Sequence, residues 1–77
     1  MKIYKALMGK DIADAEDILS QFGKVRFVDE KIGDGCDEDG SEDEYVMMRS
    51  FNVDGKYVRI YYGNNTCTIG SVSVSNQ

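Results

Sequence analysis

The chain has 77 residues, 42% of them apolar, enough for one small domain and no second core. Nine Lys/Arg against fourteen Asp/Glu give a formal net charge of −5, which weighs against a nucleic-acid binder, normally basic overall. With no His, Ser-His, Cys-His and His-metal chemistry are excluded.

In chain order, residues 2–8 read as a short first strand or as the lead-in to a helix, and Gly9 breaks the run. Residues 11–22 predict an amphipathic helix. Asp11 is its N-cap, and Ile12, Ala15, Ile18, Leu19 and Phe22 fall within one arc of about 120°. Gly23 sits where a helix C-terminus favours positive φ. Lys24–Val28 reads as a strand, and an acid-rich loop at about 30–43 follows.

From Glu44 onward the pattern is a meander with strands at about 45–53, 56–63 and 66–75. Asp54-Gly55 is a type I′ signal, and Asn64-Asn65 suggests a second two-residue turn. The first turn pairs Phe51 with Val58, Arg49 with Ile60 and Met47 with Tyr62. The second pairs Ile60 with Ile69 and Tyr62 with Cys67. These residues form one face, apolar apart from Arg49, for the helix to cover. Met48, Ser50, Tyr57, Arg59, Tyr61 and Thr68 take the other face, and Gly70 is a natural bulge. The expected fold is α+β: a single domain, residues 1–77, with one amphipathic helix packed on a four- to five-stranded, mainly antiparallel sheet.

The charge is concentrated. Residues 29–44 hold nine acids and one Lys, a local −8, whereas the rest hold five acids and eight bases, +3. The acids Asp34, Asp37, Glu38, Asp39, Glu42, Asp43 and Glu44 form a candidate docking segment for a basic protein surface. The bland reading is a solvated loop held open by its own repulsion. Calcium fits neither glycine register: anchoring an EF-hand loop on Gly40 puts Gly35 at its first position, and anchoring it on Gly35 puts Ser41 at its last. No metal or cofactor is expected.

Tyr57, Arg59 and Tyr61 alternate on one strand and so share a face. Aromatics and Arg are enriched at protein interfaces, and they also make stacking platforms for single-stranded nucleic acid. The ordinary reading is that Tyr favours strands and Arg is an exposed neighbour. Catalysis is not expected. Carboxylates in solvent titrate too low for acid–base work at neutral pH, and the acids around Cys36 suppress its nucleophilicity.

Asp39-Gly40-Ser41-Glu42-Asp43-Glu44-Tyr45-Val46-Met47-Met48, an acidic stretch running into an apolar strand, resembles the uracil-DNA glycosylase inhibitor family. The order of elements over residues 11–70 is similar as well. That family presents a carboxylate at the end of its first strand, where Lys5-Ala6-Leu7-Met8 has none, and its first helix has no counterpart here, so no functional residue is carried over. Anti-CRISPR proteins share the size and acidity but no common motif. The resemblance implies a stoichiometric phage-type inhibitor of nucleic-acid-handling or defence machinery.

The expectation is a non-enzymatic protein that binds a protein partner. The alternatives are a single-strand nucleic-acid binder, a calcium-responsive module and a homo-oligomeric structural protein. No run approaches the roughly 20 apolar residues of a membrane span. Met1–Lys5 lacks the apolar stretch of a secretory signal. A cytoplasmic protein, with Cys36 and Cys67 as reduced thiols, is therefore expected.

Overall fold

A computed structural model describes residues 2–32 and 46–76. The seven acids proposed for docking, Asp34 to Glu44, lie outside the described residues, as do Cys36 and most of the acid-rich segment. Four strands, β1 (Val25–Ile32), β2 (Val46–Val53), β3 (Lys56–Gly63) and β4 (Ile69–Asn76), form an antiparallel sheet in the order β1-β2-β3-β4. The fold is α+β, as the pattern predicts.

Residues 2–8, which left strand and helix open, contain a short helix, α1 (Ile3–Leu7). The single helix expected over 11–22 is not formed. A 3₁₀ turn at Ile12–Asp14 precedes a five-residue helix, α2 (Ala15–Leu19). Both ends tighten into three-residue bonding, Asp14 N–H donating to Asp11 O at 2.9 Å and Phe22 N–H to Leu19 O at 2.8 Å, while the Ile12 N–H, which has no partner within a helix, donates to Cys67 O at 2.8 Å. Asp11 caps as predicted, its Oδ1 accepting from the Ala13 N–H at 2.8 Å. The amphipathic stripe also survives the break. Ile12, Ala15 and Leu19 are buried, and Ile18 and Phe22 pack against the core.

The Asp54-Gly55 turn has φ of 55° and 89°, the two left-handed residues of a type I′ hairpin. It sets the β2–β3 register, with Phe51 opposite Val58, Arg49 opposite Ile60 and Met47 opposite Tyr62, as expected. The second hairpin departs from expectation. Ile60 lies opposite Val72 and Tyr62 opposite Ile69, and Gly70 is the extra residue of the bulge. Asn64-Asn65 does not make a two-residue turn. The left-handed residue is Cys67 (φ 59°), whose N–H closes a wider turn onto Gly63 O at 2.9 Å. Thr68 therefore sits in this loop, bridged to Asp11, instead of on the second face.

β1 is longer than Lys24–Val28, because a bulge at Val28 lets Asp29–Ile32 continue pairing with β2. The acidic loop thus cannot begin at residue 30. No helix of the described residues is long and apolar enough to cross a membrane.

The core lies between the helical layer and one sheet face. Leu7, Ala15 and Leu19 meet Phe51, Val53, Val58, Ile60, Tyr62 and Ile69, all of them buried. Gly23 packs so closely on the hairpin that an added Cβ would lie 2.9 Å from Asp54 Cβ. Gly23→Ala is therefore expected to cost about 1–3 kcal/mol of unfolding free energy. Adding Asp54→Gly, which removes the clashing atom and suits the left-handed turn, should recover most of that loss in urea titrations. A Gly23→Ala protein as stable as wild type would refute the close packing.

Candidate functional site

Alternation along the strands gives the sheet a second face, which no element covers among the described residues. By register, β1 contributes Arg26, Asp29 and Lys31, and β2 contributes Asn52, Ser50 and Met48. From β3 come Tyr57, Arg59 and Tyr61, and from β4 Ser75, Ser73 and Ser71. Three cations and one acid leave this face net positive on a chain of charge −5.

Tyr57, Arg59 and Tyr61 stand together as the sequence predicts. The Arg59 guanidinium carbon lies 4.9 Å from the centroid of the Tyr57 ring, a cation–π contact on an exposed strand surface. Both phenols favour the charged guanidinium, Tyr57 more strongly. Met48 and Ser50, expected to be exposed on this face, are buried beside the stripe, at 8% and 0% exposure. Register places Met48 between Lys31 and Tyr61, and Ser50 between Asp29 and Arg59. Ser50 Oγ makes no hydrogen bond of ordinary geometry. Its hydroxyl dipole is still the largest influence holding the Tyr57 phenol below its usual value, ahead of Arg59. The result is a floor of tightly seated side chains under an aromatic and cationic ridge.

Asp29 and Lys31 escape the sequence pattern because it predicts a strand ending at Val28; Arg26 lies within that strand, and only its pairing with β2 places it on this face. The same predicted end hides a cluster on the helix-facing side. Arg49, the one charge in the apolar pattern, donates from Nη2 to Glu30 Oε2 at 2.8 Å and from Nε at 3.0 Å. The Tyr62 hydroxyl donates to the same carboxylate oxygen and accepts from Arg49 Nη2 at 3.4 Å. The guanidinium carbon also lies 5.5 Å from the Tyr62 ring centroid. An inward-pointing Arg requires a partner, and that requirement was the available signal. Glu30 is held below the ordinary carboxylate value by the Tyr62 hydrogen bond first; desolvation opposes it, and the hydrogen bond and charge of Arg49 lower it further. Tyr62 is pushed up by burial and by Glu30.

These groups brace one another and the strands that carry them. Among the described residues no group of three or more His, Cys, Asp or Glu is placed to hold a metal ion. Compared with family models, curated proteins and solved structures, the chain matches none.

Because folding lowers the Glu30 value below 4.5, its contribution to stability is present above that pH. It is lost as pH falls through the depressed folded value. Glu30→Gln should cost about 0.5–1 kcal/mol at neutral pH, as a partly exposed ion pair does, and flatten the acid limb of the stability profile. An acid limb identical to that of wild type would show that the cluster contributes nothing.

Proposed function

We propose that the protein is a non-enzymatic binding protein that engages, and by occupying it inhibits, a protein partner. The observation that carries this reading is the sheet face that no element covers among the described residues, with Tyr57, Arg59 and Tyr61 raised above buried Met48 and Ser50. Tyr and Arg on a rigid, closely packed support have the character of interface hot spots, since little side-chain freedom is lost on binding. The acid-rich segment supplies the second contact. Its sequence charge favours a partner with a basic patch, so association is steered and salt-sensitive. The partner then presents a less basic, partly apolar patch to the Tyr57–Arg59–Tyr61 stripe. The likeness in layout to phage-encoded inhibitors, of the uracil-DNA glycosylase inhibitor or anti-CRISPR type, supports inhibition of nucleic-acid-handling or defence machinery.

A second reading has one specific observation in its favour. The positive sheet face with two tyrosines is also the composition of a single-strand platform, where bases stack and phosphates meet Arg and Lys.

Two variants separate these readings. One replaces Asp34, Asp37, Glu38, Asp39, Glu42, Asp43 and Glu44 with their amides, and the other combines Tyr57→Ala with Tyr61→Ala. For a partner recovered from the native host, the amide variant should bind more weakly with a flatter salt dependence. The tyrosine variant should lose about tenfold or more in affinity. Short oligonucleotides at low salt should show no saturable anisotropy change. Tight oligonucleotide binding that the tyrosine variant abolishes would replace the first reading with the second.

A further inference from the structure

The two outer strands of the sheet are guarded very differently. β1 carries Arg26, Asp29, Glu30 and Lys31 and is bent by the Val28 bulge, devices that keep an edge from pairing with another chain. At the start of β4 the outer edge is already occupied. Gly9 N–H donates to Ile69 O at 3.0 Å, and Ile69 N–H donates to Lys10 O at 2.8 Å. Beyond the Gly70 bulge this cover stops. Among the described residues, the backbone of Ser71–Asn76 pairs with β3 alone. The exposed edge reads Ser71-Val72-Ser73-Val74-Ser75, with no charge, no proline and no further bulge. Val74 is 40% exposed and shares a groove with Tyr4, itself 43% exposed.

We propose that this edge pairs with the same edge of a second copy, making a two-fold dimer with one continuous eight-stranded sheet. The sequence argues for the second copy because Ser-Val-Ser-Val-Ser reads the same in both directions. An antiparallel pair centred on Ser73 sets Ser73 against the partner subunit's Ser73. It also sets Val72 against the partner subunit's Val74, and Ser71 against the partner subunit's Ser75. Valine meets valine on the helix-facing side and serine meets serine on the other, each a favourable cross-strand match. The uncharged edge brings no like charges together, although each copy is net −5.

The interface is isologous and closes on itself, leaving two copies of β1 as the outer edges, where charge and bulge stop further growth. Pairing of β4 with β1 would instead build an open fibre and would set uncharged serines and valines against four charges. Because the two-fold runs perpendicular to the sheet, both helical layers fall on one side and both Tyr57–Arg59–Tyr61 stripes on the other. Three strand spacings separate the stripes, about 14 Å. This dimer is independent of the partner reading above, since a monomer presents the same stripe.

Sedimentation velocity from low to high micromolar concentration tests the proposal. The wild-type chain should move from the 8.6 kDa monomer to a species of twice that mass. Ser73→Lys, on an exposed position, sets two ammonium groups directly opposite and should raise the dissociation constant by about tenfold or more. Far-UV circular dichroism verifies that its fold is unchanged. In a Cys36→Ser, Cys67→Ser background, Ser73→Cys should give a disulfide-linked dimer on oxidation, and Ser20→Cys, on the helical layer, should give none. A wild-type chain that stays monomeric throughout would overturn the proposal. So would a dimer that Ser73→Lys does not weaken or Ser73→Cys does not cross-link.

Discussion

Among the described residues, a helical layer in pieces of five, three and five residues has to cover a sheet of four eight-residue strands, and it falls short. A chain of this length buries only a modest share of its surface, and here the burial concentrates where helix and sheet overlap. Leu7, Ala15 and Leu19 seal Phe51, Val53, Val58, Ile60 and Ile69 almost completely. β1 lies past the edge of that cover. Phe27 and Ile32 are more than half exposed there, although both face the helical side. Phe27 keeps one aromatic contact, edge-on to Phe51 with ring centroids 5.9 Å apart.

Where cover runs out, polar side chains take over the bracing. Arg49 lies on the helix-facing side of β2, beyond the apolar centre, and a lone guanidinium there would be costly to desolvate. Glu30 and Tyr62 give it hydrogen bonds and a ring face, and the three residues tie β1 through β2 to β3. The second face, uncovered among the described residues, is braced similarly by Arg59 on Tyr57, and Met48 and Ser50 are shut away between neighbouring side chains. A surface so supported changes little on binding, which suits a docking face.

Legibility followed the range of the interactions. Asp54-Gly55 fixed the β2–β3 register because both turn residues adopt left-handed φ, a local preference written in two letters. The Asp11 cap and the stripe from Ile12 to Phe22 were local too, and both are present. Asn64-Asn65 carried a similar local preference but lost. The Ile12 N–H donates to Cys67 O within the loop and the Ile69 N–H donates to Lys10 O, and Cys67 takes the left-handed conformation instead. The expected helix shortens to a 3₁₀ turn and a short α-helix as i→i+3 bonds close its two ends. Of the candidate site, the Tyr57–Arg59–Tyr61 alternation was readable. Its neighbours were not: Arg26 reaches this face through long-range pairing with β2, and Asp29 and Lys31 through the bulge at Val28, which changes which later residues share a face.

The sequence by itself determined the α+β class, the first hairpin and its register, the apolar faces of helix and strands, and the uneven distribution of charge. Each follows from periodicity, turn chemistry or simple counting, which act over a few residues. Tertiary structure alone decided that β1 runs on to Ile32, that Arg49 finds Glu30 and Tyr62, and that β4 is covered at its start and, among the described residues, bare beyond Gly70. Those outcomes depend on which distant backbone groups satisfy one another once a single small core has formed. No local pattern encodes that competition.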